Sequence, residues 1–167
     1  MIFLTVGTIM PFDRLVRAVD DWAESRGRSD VFGQIGDLQK DSYRPGFDWT
    51  ERLTPSEFRT RLADADLVIA HAGIGSIVEA LSHARPILIM PRRHDLREHV
   101  NDHQLETVRR FASRDGVTVA MDPDEIAPAL DAFVGGTAAP PTLGPDADES
   151  LIAAIRDTIH GKGPARR

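Results

Sequence analysis

The sequence predicts an α/β chain built as a Rossmann-like parallel sheet with helices on both faces. Two observations carry this prediction. Short apolar, β-rich runs alternate with amphipathic segments only a few residues away, the pattern of parallel strands joined by right-handed crossovers. Two of those runs also end in Gly-bearing turns that open into a helix, at Gly7-Thr8 and at HAGIGS over residues 71–76.

Taken in order, residues 2–6 form the first strand. After the Gly7-Thr8 turn, Phe12, Leu15, Val16, Val19 and Trp22 recur at helical spacing, with Pro11 in the first turn and Gly27 as the C-terminal stop. Residues 30–35 read as a second strand followed by a polar loop to Pro45, and FDWTERL is ambiguous between loop and a short third strand. Thr54-Pro55-Ser56-Glu57 supplies an N-cap, a proline at the first helical position and a capping-box glutamate, so a short helix runs to about Ala65. Residues 67–70 are a strand, 74–83 a helix with Ile74, Ile77, Val78 and Leu81 on one face, and 87–90 another strand. A longer helix is expected over residues 98–114, with Leu105, Val108, Phe111 and Ala112 inward and Glu106 and Arg110 as an outward i,i+4 pair. Residues 117–120 form a further strand, and Asp122-Pro123-Asp124-Glu125 repeats the cap, proline, acid order to start a helix ending near Phe133. The domain therefore spans residues 1–134. Residues 135–149, rich in Gly, Pro and Ala, read as a linker, 150–160 as an amphipathic C-terminal helix and 161–167 as a disordered basic tail.

The chain's 167 residues, 41% of them hydrophobic, suffice for one well-filled core and would crowd two domains. A net charge of −6 argues against binding nucleic acid through a broad basic face. With no cysteine, disulfides, thiolate metal sites and cysteine nucleophiles are excluded. No run approaches the roughly 20 apolar residues that span a bilayer, and the first residues resemble a strand rather than a signal peptide, so a cytoplasmic location is expected.

In a parallel sheet ligands bind beyond the carboxyl ends of the strands, which directs attention to Gly7 and Thr8, to residues 71–76 and to the run RRHDLREHVNDHQ over residues 92–104. Gly73 and Gly75 either let the backbone approach a diphosphate at the following helix N-terminus or merely permit a tight turn. The pattern is neither the dinucleotide GxGxxG nor a Walker A loop. Glu79, one turn beyond Gly75, is placed to accept from a ribose or to be solvated. His71 could donate to a phosphate, act as a base or bond a backbone carbonyl. Arg92 and Arg93 could clamp a phosphate or form a solvated loop. His94, His99 and His103 raise metal binding, which the absence of HExxH and the intervening Asp and Asn disfavour.

These residues carry a family resemblance. FLTVGTIMPFDRLVRAVD, HAGIGSIVEAL, ARPILIMPRR and EHVNDHQ resemble the C-terminal, nucleotide-sugar-binding domain of the family 28 glycosyltransferases, the MurG group. Within it the likeness is to small stand-alone members: the PssE- and EpsE-type subunits of exopolysaccharide synthesis and the catalytic subunit of the eukaryotic dolichol-linked N-acetylglucosaminyltransferase. The resemblance runs to about Phe133 and implies one GT-B half-domain. It implies a UDP-sugar donor, a membrane-anchored partner subunit that supplies the acceptor half, a lipid-linked acceptor, recruitment to the cytoplasmic face of the membrane, and no cofactor or metal. Carried over by position, Gly73, Ile74, Gly75 and Ser76 hold the diphosphate, Glu79 the ribose, and Gly7 and Thr8 face the donor. Arg92 would help hold UDP, and His71 is the one candidate base in this chain, the alternative being a base on the partner. Around Glu98 and His99 the sequence departs from the paired glutamines of MurG and follows the NDHQ form, so Asn101 and Gln104 become candidates for the donor sugar, whose identity stays open. A non-catalytic nucleotide-binding or scaffold subunit is the competing expectation, and a two-domain nucleotide-sugar epimerase is disfavoured by length.

Overall fold

The computed structural model describes residues 1–8 and 10–136. The strands are β1 (Ile2–Thr5), β2 (Val31–Gln34), β3 (Asp48–Thr50), β4 (Leu67–His71), β5 (Ile87–Met90) and β6 (Val117–Val119). The helices are α1 (Asp13–Ser25), α2 (Pro55–Asp64), α3 (Ile74–Ser82), α4 (His103–Phe111) and α5 (Ile126–Val134), with a 3₁₀ turn at Pro123–Glu125. All neighbouring strands pair in parallel, in the order β3-β2-β1-β4-β5-β6. The order reverses between β1 and β4, and a crevice opens there at the carboxyl ends, as in the Rossmann arrangement.

Strand alternation divides the core into two layers. Ile2, Leu4, Leu67, Ile69, Leu88 and Met90 point to the face covered by α1 and α5, where Leu15, Val19, Trp22, Ile126 and Leu130 meet them. Phe3, Val68, Ala70, Ile87 and Ile89 point to the other face, against Leu62 of α2, Ile77 and Leu81 of α3, and Val108 and Phe111 of α4. Burying a Leu, Ile or Phe side chain contributes about 1.5–3 kcal/mol, so these two layers are the main source of stability.

Most sequence expectations hold, and the departures have local causes. FDWTERL does supply an edge strand, β3. The Thr54 capping box forms: the Glu57 N–H donates to the Thr54 hydroxyl at 3.3 Å and the Glu57 carboxylate accepts the Thr54 N–H at 2.8 Å. Pro11 lies outside α1, whose N-cap is Phe12. The helix expected over residues 98–114 is the shorter α4, because Arg97 adopts a left-handed φ of 59° and residues before Asp102 are tied into side-chain contacts. Its buried face is Gln104, Thr107, Val108 and Phe111, while Leu105 is half-buried and Ala112 exposed. Asp122 makes no side-chain cap, since its carboxylate lies 3.5 Å from Arg14 and 3.6 Å from Arg93 instead. The expected helix over residues 150–160, the tail and the linker from residue 137 lie outside the described residues. Among the described residues, no helix is long and apolar enough to cross a membrane.

Candidate functional site

The crevice at the strand-order reversal is a cleft of about 250 Å³ lined by Val6, Gly7, Thr8, Met10, His71, Arg92, His99 and Gln104. It gathers residues from the loops after β1, β4 and β5 and from the start of α4. The sequence-predicted Gly7, Thr8, His71, Arg92, His99 and Gln104 therefore converge. Gly73, Ile74, Gly75 and Ser76 follow His71 directly and form the start of α3. Glu79 stands one turn further on, exposed, as is Asn101.

The two glycines of HAGIGS have different jobs. A β-carbon at Gly73 would stand 2.3 Å from His71 Nε2, and one at Gly7 3.1 Å from His71 Cε1. The imidazole is thus seated between two glycines, and Gly73 makes room for a neighbouring side chain of the same protein. At Gly75 nothing lies within 4 Å of a β-carbon. Its backbone faces open space, the feature expected where a ligand approaches the chain closely.

The N-terminus of α3 carries no side-chain cap. Its first intrahelical bond runs from the Ile77 N–H to the Gly73 carbonyl at 3.2 Å, and no acidic residue sits in its first turn. The N–H groups of Ile74, Gly75 and Ser76 precede that bond, and with the positive end of the helix dipole they suit an anion.

His71 is largely buried, and its ring meets the Thr5 backbone without Nδ1 making a hydrogen bond of good geometry. Burial, followed by the charge of Arg92, pushes its pKa down to about 4. The ring is therefore neutral at pH 7. His99, its Nδ1 likewise buried without a partner, is lowered by burial, by His103 and by Arg92. The His99 and His103 rings meet edge to face at 4.5 Å. Gln104 is buried, and its Oε1 accepts the Arg92 N–H at 2.9 Å, which fixes the amide so that Nε2 is the atom left for a ligand. Among the described residues, no three His, Asp or Glu side chains converge as a metal site requires.

Two residues expected at the ligand have side chains engaged within the chain. Arg92 is 3% exposed, and its guanidinium donates to the carbonyls of Val6, Met10, Pro11 and Glu98 rather than reaching out as a phosphate clamp. Burial pushes its pKa down to about 10, and it remains charged. The Glu98 carboxylate is taken up by Arg14, at 2.8 and 2.9 Å, and by the Arg93 N–H at 3.0 Å. Arg93 itself pairs with Asp95 at 2.7 Å.

Sequence reasoning missed Arg14, which also donates to the Pro91 carbonyl at 2.9 Å and so ties α1 to the loop after β5. One clue was available: a cation in the first turn of a helix opposes the dipole and needs a compensating partner. Both side chains of the Arg14–Glu98 pair are about one-seventh exposed, at 15% and 13%. Glu98→Ala should therefore cost about 2 kcal/mol in denaturant unfolding, because it takes from a mostly buried guanidinium its bidentate carboxylate, leaving it the Pro91 carbonyl and the more distant Asp122, and removes the acceptor of the Arg93 N–H. Adding Arg14→Met should recover part of that loss, and equal stability of Glu98→Ala and the unaltered protein would show the pair to be inert.

The sequence profile of the glycosyltransferase family 28 C-terminal domain matches residues 1–140. The chain is 32% identical over 121 residues to the UDP-N-acetylglucosamine transferase subunit ALG13 of Homo sapiens, covering 66% of this chain and 10% of that protein. It is 30% identical over 105 residues to the UDP-N-acetylglucosamine--N-acetylmuramyl-(pentapeptide) pyrophosphoryl-undecaprenol N-acetylglucosamine transferase of Granulibacter bethesdensis, covering 62% of this chain and 26% of that one. The chain thus spans a minor part of the length of either relative. The NMR solution structure of ALG13 superposes with a TM-score of 0.62 at 19% identity, over 95% of this chain and 96% of that one, a likeness of fold.

Proposed function

The chain belongs to the glycosyltransferase family 28 C-terminal domain family, and on that premise we propose that it is the donor-binding, catalytic subunit of a two-component glycosyltransferase. The donor is a UDP-sugar, and the acceptor is a lipid-linked saccharide in exopolysaccharide or glycan synthesis. A membrane-anchored partner subunit supplies the opposing wall of the GT-B cleft and holds this chain at the cytoplasmic face of the membrane. The observation that carries the reading is the uncapped start of α3, open to solvent at Gly75 and adjoining the cleft at the strand-order reversal.

In this reading the N–H groups of Ile74, Gly75 and Ser76 hold the diphosphate. As the bond between the sugar and the diphosphate breaks, UDP leaves with the electron pair, and the helix N-terminus stabilises the charge that grows on it. Glu79, on the face of α3 one turn beyond Gly75, accepts from the ribose hydroxyls. Gly7 and Thr8 face the donor from the loop after β1, and His99, Asn101 and the Gln104 amide take the sugar. The acceptor hydroxyl loses its proton as its oxygen bonds the sugar carbon, and His71 is the base in this chain. Its low basicity in the free protein comes from burial and Arg92, and a bound diphosphate would raise it by placing negative charge beside the ring.

Calorimetric titration with UDP tests the donor assignment. Binding should be seen, and Glu79→Ala should weaken it by about tenfold, as loss of a charge-assisted hydrogen bond requires. Unchanged affinity would remove Glu79 from the ribose. Co-expression with a membrane-anchored partner should yield sugar transfer from a UDP-sugar to a lipid-linked acceptor; UDP binding without transfer would mark a non-catalytic nucleotide-binding subunit.

A further inference from the structure

The loop after β1 is gripped by its carbonyl oxygens from two sides. From the β5 side, the buried Arg92 guanidinium donates to the carbonyls of Val6 at 2.8 Å, Met10 at 2.6 Å and Pro11 at 2.7 Å. From the β2 side, Gln34 Nε2 donates to the Gly7 carbonyl at 3.1 Å, while its Oε1 accepts the Thr5 hydroxyl at 2.7 Å. Gln34 Nε2 also lies 3.3 Å from the Glu51 carbonyl, which anchors it to the chain after β3. Gly36 completes the contact, since a β-carbon there would stand 3.2 Å from the Gly7 oxygen.

We infer that Arg92 and Gln34 are positioning residues that hold Val6, Gly7, Met10 and Pro11 as a preformed wall of the donor site. The inference rests on the donor reading given above. Two physical arguments support it. Backbone carbonyls repel an anion, and four of them from one short loop are here engaged by donors, one of which carries a full positive charge beside the cleft. Neither side chain is what the apolar layers need, and burying a guanidinium is costly, so an apolar residue would serve packing better. A loop ordered before the ligand arrives spares the ordering cost at the moment of binding.

The test compares the unaltered chain with Arg92→Met, Arg92→Lys and Gln34→Leu, by amide hydrogen exchange in the free protein and by UDP titration well below each melting temperature. In Arg92→Met and Gln34→Leu the amides of Gly7, Thr8, Met10 and Phe12 should exchange faster while those of β4 and β5 stay protected. UDP affinity should fall by about tenfold, the scale of ordering roughly one further residue on binding. Arg92→Lys keeps the charge and loses the fork, and should fall between Arg92→Met and the unaltered chain. Protection of the loop equal to that of the unaltered chain, or a loosened loop with unchanged UDP affinity, would overturn the inference. If the unaltered chain itself failed to bind UDP, the donor reading would fall, and this positioning role with it, whereas binding retained across all three variants would sink the positioning role alone.

Discussion

Gly75→Val is expected to leave the fold intact and to weaken UDP binding by about 100-fold, close to 2.7 kcal/mol. The first half follows from the open space around the position: beyond its chain neighbours and the backbone of its own helix nothing lies within 4 Å of a β-carbon there, and its φ is not in the left-handed region. Glycine in a helix costs about 0.5–1 kcal/mol relative to alanine, and a β-branched residue, though poorer than alanine, still ranks above glycine there. The second half follows from the same space being that through which a diphosphate must approach the α3 N–H groups. Gly73→Ala, two residues away, should behave oppositely. Its methyl would collide with the His71 imidazole, so thermal stability and UDP binding should be lost together. Melting curves and calorimetry on the two variants separate the cases. If Gly75→Val bound UDP as tightly as the unaltered chain, the α3 N-terminus would not be the diphosphate site.

Why so much of the fold could be read from the sequence is visible in particular elements. Strands such as ILIM over residues 87–90 are buried on both faces and leave no doubt about their place in the sheet. The capping box at Thr54 marks its own helix because every partner in it is local. The misjudged element is the start of α4. The pattern that suggested a helix from residue 98 is real in sequence, but the Glu98 carboxylate and the His94 N–H are drawn to Arg14 and Asp102, and Arg14 lies far away along the chain. Long-range side-chain contacts of this kind leave no periodic trace.

The same limit governs the candidate site. Which loops converge was legible, because it follows from strand order and from the rule that carboxyl ends carry ligands. Which side chains face inward was not. Arg92 and Glu98 are charged residues in a loop-like stretch, and residue type alone favours exposure, yet Arg92 is engaged by carbonyls 81 to 86 residues away and Glu98 by Arg14, 84 residues away. Gln34 left a faint mark, as a polar residue at the carboxyl end of an otherwise apolar strand. The division of labour between Gly73 and Gly75 was invisible, since it depends on where the His71 ring lies.

That ring also sets how the protein responds to acid. The His71 pKa is held at about 4 in the folded chain against an ordinary 6.5, by burial first and Arg92 second. Above pH 6.5 the imidazole is neutral in both states and contributes no pH dependence. As pH falls from 6.5 to 4, the unfolded chain takes up a proton that the folded chain refuses, so stability declines. The slope approaches about 1.4 kcal/mol per pH unit and the loss totals about 3 kcal/mol, after which both states are protonated and the group adds nothing more. His99, lowered in the same direction, adds to the decline. Asp30, Asp37, Asp95 and Asp131 are held below 3.8 by arginine partners, and their stabilisation is lost at lower pH, beneath the histidine window. Denaturant unfolding between about pH 7 and 4.5 should therefore show a marked slope that His71→Gln largely removes. An undiminished slope in that variant would place the acid sensitivity elsewhere. Linkage extends the argument to the ligand: a diphosphate that raises the His71 pKa must itself bind more tightly as pH falls through that window, until its own phosphate protonates. UDP affinity that is flat in His71→Gln and rises toward acid in the unaltered chain would place the imidazole beside the diphosphate.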